Sequence, residues 1–463
     1  MQNEVLHKLF QLPFIPVFLT FCMLWSSCSS LYYKGFATYQ HVTVEREDPA
    51  KSKPVSRPNP CNDYKNYIPD TLHPEYTPMR YIRLNAHFIN SKDSTQNLKK
   101  EEATRFIEEL IRHTNYVLSN NRQMFLPIGN NTPVLPTQYR FVLEGNPDDP
   151  SDNGVYFHYN DSLFICNKKE RKSGSPYSLF YGQQYHRYGI RKGEVINVFF
   201  LEHPPDSLGS STYKFTSNGV GKPDWAKMVG AAHHIRVLHR DRPDPVLFTA
   251  QHWVGLFNHE LGHSLGLAHT WNANDGCDDT PMNPNHWNFP EVPPEEHDKV
   301  SNNVMDYNAF QNAWSPCQIG KIQLNTSTSS TLQRRLLKPV WCSFNPEEII
   351  HIKSGDSIVW KGAKDFSGNI EIHPDAVLTL HCTVNLAEGA KIKVYSGGTL
   401  VVDGGIITNQ CGQKWKGIEI EHRAKKTSTI ILKNNAQLLN MENDLRVVPV
   451  PDKRKTKKTI HPE

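Results

Sequence analysis

Phe257-Asn258-His259-Glu260-Leu261-Gly262-His263-Ser264-Leu265-Gly266-Leu267-Ala268-His269-Thr270-Trp271 is the stretch on which the reading turns. His259 and His263 are four apart, so on a helix both imidazoles leave the same face and can reach one ion. Glu260 points about 100° around the helix from His259, beside an ion rather than onto it. Gly266 can adopt the left-handed backbone that ends a helix and turns the chain, which lets His269 return as a third ligand. Three protein ligands and a water make an open, catalytic zinc geometry rather than a closed structural one. In that geometry a zinc-bound water, activated by Glu260 as general base, attacks a peptide carbonyl, and Glu260 then delivers the proton to the leaving nitrogen.

The spacing through Gly266 to His269 is the H-E-x-x-H-x-x-G-x-x-H signature of metzincin metallopeptidases. Downstream, Asn302-Asn303-Val304-Met305-Asp306-Tyr307 resembles the Met-containing turn that metzincins place beneath the zinc, with Met305 as its apolar floor. Tyr307 matches the position where several metzincin families carry a tyrosine whose hydroxyl approaches the zinc or the tetrahedral intermediate. His269-Thr270-Trp271, Gly276-Cys277-Asp278-Asp279-Thr280-Pro281 and Ser315-Pro316-Cys317-Gln318 together resemble the pappalysin family. The resemblance covers about residues 79–340 and is close only around 259–318. It implies a secreted zinc endopeptidase with upper and lower subdomains and a Cys277–Cys317 disulfide. It also implies calcium near the loop that offers Asp278, Asp279 and Thr280 as oxygen ligands. Asn258 departs from the family pattern, where a smaller residue is common.

Outward from the motif, a helical pattern covers about 247–268. A second runs over 98–118, with Ala103, Phe106, Ile107, Leu110 and Ile111 in register. Strand-like runs begin near Met79 and recur at 139–143, 154–159 and 195–201. The expected class for residues 78–342 is α+β, a metzincin-like domain of two subdomains. After Asn345 short β-rich runs alternate with Gly-containing turns at 376–380, 390–394, 398–402, 417–420 and 429–432, and Trp-Lys-Gly occurs twice. An all-β module over 343–445, a β-solenoid in preference to a sandwich, is the expectation. Residues 446–463 form a basic tail.

The first thirty residues pair a short basic start with an apolar run from Leu9 to Trp25, broken by Pro13 and Pro16. This reads as a signal peptide over 1–28, hence export. Cys28 after two serines resembles a lipoprotein cleavage site and would carry a lipid anchor. Trp25 stands where an aliphatic residue is usual, and a plain signal cut nearby is the alternative. Residues 29–77 are polar and Pro-rich, a linker or pro-segment. Seven cysteines follow Cys28; that odd number requires at least one to be free, joined to another chain or otherwise used. Cys61 is a disulfide partner or, less simply, a thiolate that holds a zymogen latent. Cys382 and Cys411 would bridge neighbouring coils or stay as thiols. His233, His234 and His239 read as surface or rim histidines rather than a second metal site.

The chain of 463 residues carries 51 basic and 47 acidic side chains, a net charge of +4 that argues against a dedicated nucleic-acid binder. A hydrophobic fraction of 38% is enough for packed cores and rules out wholesale disorder. The function expected is an exported zinc endopeptidase acting on proteins or peptides. The competing reading is a surface adhesin or glycan-binding protein that works through its β module, with a degenerate peptidase domain.

Overall fold

The computed structural model describes the backbone of residues 43–46 and residues 59–442, apart from 130, 168–169, 171, 173, 212–217, 272–274, 283–299, 309 and 422–427. The leader, Cys28 and the basic tail lie outside the described residues. Among those described, no helix is long and apolar enough to cross a membrane.

Strand β1 (Thr43–Arg46) belongs to the C-terminal half and is taken up below. The N-terminal half is built on β2 (Arg80–Asn90), eleven residues long and almost wholly buried. Helix α1 (Lys100–Ser119) follows, then β3 (Tyr139–Leu143), β4 (Val155–Tyr159), α2 (Gln183–Tyr188), β5 (Ile196–Leu201) and α3 (Pro205–Leu208). The sheet is completed by β6 (Asn218–Lys222) and β7 (Trp225–Val229), before α4 (Ala231–His233) and α5 (Pro245–Ser264). One long edge of β2 pairs with β3 along its first half and β4 along its second; the other edge pairs with β5. All of these pairings are parallel, as is β5 with β7; only β6 runs antiparallel, at the edge. The expected α+β class is therefore corrected to a mixed α/β arrangement around a parallel sheet. Central strands of such a sheet are buried on both faces and read as largely apolar runs; all six residues of Ile196–Leu201 are buried, and Asn197 is the one polar residue among them.

Helices α1 and α5 cover one face. Phe106 of α1 meets Phe200 and Trp253 edge-on, at centroid distances of 5.7 and 5.8 Å. Asp244 caps α5 by accepting from the Leu247 N–H, with Pro245 at the first helical position. The next helices among the described residues are α6 (Pro316–Ser327) and α7 (Leu332–Arg335).

The C-terminal half contains three parallel sheets. Strands β8 (Ile349–Ile352), β11 (Asn369–Ile372), β14 (Lys391–Val394) and β17 (Gly417–Ile420) form one. The second joins β9 (Ser357–Trp360), β12 (Val377–Leu380), β15 (Thr399–Asp403) and β18 (Thr429–Lys433), with β1 at its far edge. The third joins β10 (Lys364–Phe366), β13 (Thr383–Leu386), β16 (Ile406–Thr408) and β19 (Gln437–Leu438). None of the sheets closes on itself. Register stacks like on like: Ile350, Ile370, Ile392 and Ile418 lie in line and buried, as do Ile352, Ile372, Val394 and Ile420. Alternation puts every second residue inward, so each added strand extends both aliphatic columns.

Residues 59–77, read from sequence as linker or pro-segment, pack on both halves: Tyr64 and Ile68 lie against Gly320 of α6, and Tyr76 joins the C-terminal core. Tyr67 and Tyr76 are buried, and Cys61 is bonded to Cys382. A latent thiolate at Cys61 is thereby replaced by a disulfide. Cys342 pairs with Cys411, so Cys382 and Cys411 each bond to a distant partner rather than bridging neighbouring strands. Cys166 is free and buried, and burial pushes its thiol up to about 12. The two halves also meet at Asp365 of β10, which accepts hydrogen bonds from Arg80 at the start of β2 and from both terminal nitrogens of Arg334, the latter at 2.7 Å.

Candidate active site

Helix α5 carries His259, Glu260 and His263 on its last turns, with His259 and Glu260 buried. It ends at Ser264. Gly266 follows at φ +93°, in the left-handed region, and Asn325 Nδ2 donates to the Leu265 carbonyl at 2.9 Å. A Cβ on Gly266 would strike that Asn325 amide. Gly266→Ala should therefore cost about 1–2 kcal/mol through its backbone alone. It should also weaken zinc binding by shifting His269. Chemical unfolding and zinc titration of the variant check both, and an unaltered zinc affinity would deny the turn its positioning role.

The turn brings His269 back as the spacing predicts. Its Nε2 lies 3.1 Å from His259 Nε2 and 3.0 Å from His263 Nε2. His259 Nδ1 donates to the Val304 carbonyl at 2.8 Å, and His263 Nδ1 to the Leu267 carbonyl at 2.9 Å. With those protons fixed on Nδ1, both Nε2 atoms present bare lone pairs to a third nitrogen, which could donate to only one of them. A shared cation satisfies all three at once, and the carbonyl partners are the outer-layer contacts that orient metal-bound imidazoles. The residues fit a zinc ion. Burial, with the neighbouring imidazoles, holds His259 well below its ordinary pKa and His269 down to about 4, and burial lowers His263 as well, all in the direction of the neutral form that ligation requires. His259 is buried, while His263 and His269 are half-buried, so an ion held by the three would be reachable from solvent.

Glu260 is buried against the edge strand β6. Burial pushes its carboxyl up to about 8, against the opposing hydrogen bond from the Gly221 N–H. Ser264 Oγ donates to the Lys222 carbonyl at 2.6 Å, tying the same strand to the helix. A side chain on Gly221 would overlap the Glu260 carbonyl, so only glycine lets β6 lie this close. Sequence reading missed β6, because Asn218-Gly219-Val220-Gly221 resembles a turn more than a strand.

Met305 is fully buried, its sulfur against the helix at Gly262. Asn303 holds the turn, its Oδ1 accepting from the Met305 N–H at 2.9 Å. Asn303 also exchanges two side-chain hydrogen bonds with Gln318, each 2.9 Å. Gln318 is the third residue of α6 and closes a capping box with Ser315. Thus the Ser315–Gln318 segment braces the Met305 turn, a role that its sequence resemblance did not specify. Tyr307 lies over the histidines, its ring centroid 5.2 Å from His269 and 5.7 Å from His259. Burial raises its phenol, and so does the nearby Glu260. Trp271, which the sequence offers only as part of the family resemblance and without a role, stacks on His269 at 4.0 Å and leans on Tyr307 at 4.3 Å.

Cys277 and Cys317 are bonded, with Sγ–Sγ 2.05 Å. In the same loop Asp279 Oδ2 accepts from the Cys317 N–H at 3.0 Å, and the Thr280 hydroxyl donates to Asp275 Oδ2 at 2.6 Å. Asp278 is exposed. Thr280 and one Asp279 oxygen thus brace the loop. Asp279 Oδ1, buried without a partner among the described residues, is the oxygen that a calcium ion there would take.

His234 and His239 are buried rather than at a rim, and they approach His252 of α5. One α-turn would place residues five apart on different faces; a π-turn closed by the His239 N–H to His234 carbonyl bond brings them together. Trp253 Nε1 donates to His234 Nδ1 at 3.3 Å and His239 Nδ1 bonds Thr249 Oγ1 at 2.8 Å. These rings serve as core hydrogen-bonding groups. His233 is half-buried beside His203, their rings 6.4 Å apart.

No known family model matches the chain, and no curated protein does. Among solved structures, mirolysin in complex with compound 9 is similar over 56% of this chain and 96% of its own, at 17% identity and TM-score 0.35. Mature mirolysin of Tannerella forsythia, in complex with a cleaved peptide, is 16% identical over 56% of this chain and 95% of its own, TM-score 0.33. A promirolysin mutant from the same organism is 15% identical over 60% and 90%, TM-score 0.34. Likeness of that degree settles no activity.

Proposed function

We propose that this protein is a zinc-dependent endopeptidase of the metzincin type, similar to pappalysins, acting on proteins or peptides. The observation that carries the reading is the approach of His269 Nε2 to within 3.0–3.1 Å of both His259 Nε2 and His263 Nε2, beside a buried carboxylate. His259, His263 and His269 would hold the ion. When bound, zinc supplies Lewis acidity that makes water and a peptide carbonyl reactive at neutral pH. Glu260 receives the proton from the attacking water and hands it to the departing amide nitrogen. The Gly221 N–H and the packing of β6 keep its carboxyl oriented and shielded from bulk water. Tyr307 presents its hydroxyl to the developing oxyanion, with Trp271 fixing the ring. Met305 underlies the histidines without offering them a competing donor.

A peptidase unit would span 78–342 and a β-solenoid 343–445; the three sheets of parallel strands in the latter support that reading. The solenoid would contact a surface or glycan. Export, with or without a lipid at Cys28, rests on the leader sequence alone.

Digestion of a peptide library blocked at both ends, with the full chain, tests the reading. Internal cuts are expected. An adhesin with a degenerate site would leave the library intact and bind surfaces instead.

A further inference from the structure

The outward face of the β8–β11–β14–β17 sheet carries polar residues in the same register that stacks isoleucines inward. His351, Glu371, Lys393 and Glu419 face one another across successive strands. His373 lies one residue past β11, its N–H donating to the Ile352 carbonyl at 3.0 Å. His351 Nδ1 and His373 Nε2 are 3.1 Å apart. Glu371 Oε2 lies 3.6 Å from the first nitrogen and 3.9 Å from the second.

Donors at about 2.0–2.1 Å around a tetrahedral zinc ion lie roughly 3.3–3.4 Å from one another. The three observed separations bracket that figure, so an ion would need only small side-chain adjustments. The set is two imidazoles and one carboxylate, a mixture that suits borderline divalent metals over calcium or magnesium. It is also supported from behind. Tyr395 donates its hydroxyl to Glu371 Oε2 at 3.0 Å, and its ring stacks on His373 at 4.9 Å. The His351 backbone is held by Tyr76, whose hydroxyl donates to its carbonyl at 3.0 Å. Side-chain exposures of 47%, 18% and 31% for His351, Glu371 and His373 leave the donors reachable from solvent.

We propose that His351, Glu371 and His373 form a second zinc site, on the outside of the C-terminal β structure, with water completing the coordination. The ion would clip β8 to β11 and to the turn after it, which are adjacent in space but a full circuit of chain apart. Nothing in this inference depends on the peptidase reading, since none of the three residues contacts the His259 site.

Metal content of the full-length chain after dialysis against micromolar zinc tests it. Wild type should retain one equivalent more than the H351Q/H373Q double variant, with peptide hydrolysis the same in both. Y395F removes only the supporting hydroxyl and should weaken binding of that extra equivalent about ten-fold. Should the double variant fail to fold, cobalt(II) titration of wild type and Y395F decides. A second equivalent should bring its own visible absorption in wild type and do so at higher cobalt in the variant. Equal zinc content in wild type and the double variant, or no second cobalt-dependent band, would overturn the proposal.

Discussion

Glu260→Gln should retain zinc at the wild-type level and lose peptide hydrolysis by about 10²–10⁴-fold, the range expected when a positioned general base is removed. That loss corresponds to about 3–5 kcal/mol of transition-state stabilisation. The substitution is close to isosteric, and the Gln carbonyl oxygen can still accept from the Gly221 N–H. Glu260 is buried, so replacing its carboxyl by an amide also removes a desolvation cost, and the variant should be no less stable than wild type. His259 and His263 keep their carbonyl partners, which hold the ligand set independently of Glu260. Steady-state kinetics on a defined peptide, with metal analysis of the same sample, separates a chemical defect from a binding one. Hydrolysis at wild-type rate would remove Glu260 from the mechanism.

Asp365→Ala should destabilise the chain by about 3–5 kcal/mol, because it leaves Arg80 and Arg334 without their shared anion. Arg80 and Asp365 have side-chain exposures of only 1% and 6%, so water cannot substitute. Burial by itself would raise the Asp365 carboxyl, but Arg80 and then Arg334 override it and hold it well below the usual carboxylate range. The sign of the pH dependence follows. A carboxyl depressed in the folded state contributes its full stability above about pH 4, its ordinary value, and loses that contribution as pH falls toward the depressed one. The difference between wild type and the variant should thus be constant near neutrality and shrink in acid. Urea unfolding at several pH values measures it; a gap that widens in acid would contradict the ion-pair account.

The three clustered histidines, the proposed zinc ligands, were legible because all three fall within eleven residues, so local helix geometry and one glycine turn place them without tertiary information. Met305 and Tyr307 were reached only through family resemblance, since nothing local to residues 302–307 indicates what lies above them. The edge strand that holds Glu260 was illegible for a physical reason. Its alternating glycines, needed for close approach to α5, erase the β-propensity that marks a strand. Parallel topology hid behind the α+β reading because pairing between β2, β5 and β7 is fixed by crossovers, not by patterns within each strand. Disulfide partners such as Cys61 and Cys382 lie 321 residues apart, and spacing cannot pair them. The His351–Glu371–His373 set was equally unseen, because its members meet only once β8 and β11 stack in register.

The central claim is that an ion held by His259, His263 and His269 is required for peptide hydrolysis. Its most direct measurement is activity of the full chain as zinc is stripped by a chelator and then returned in counted equivalents. The account predicts that hydrolysis disappears with the metal and returns in proportion to zinc at the His259 site. It predicts no return in a His263→Ala variant. Hydrolysis that persists in the zinc-free chain, or that the His263→Ala variant recovers fully, would contradict it.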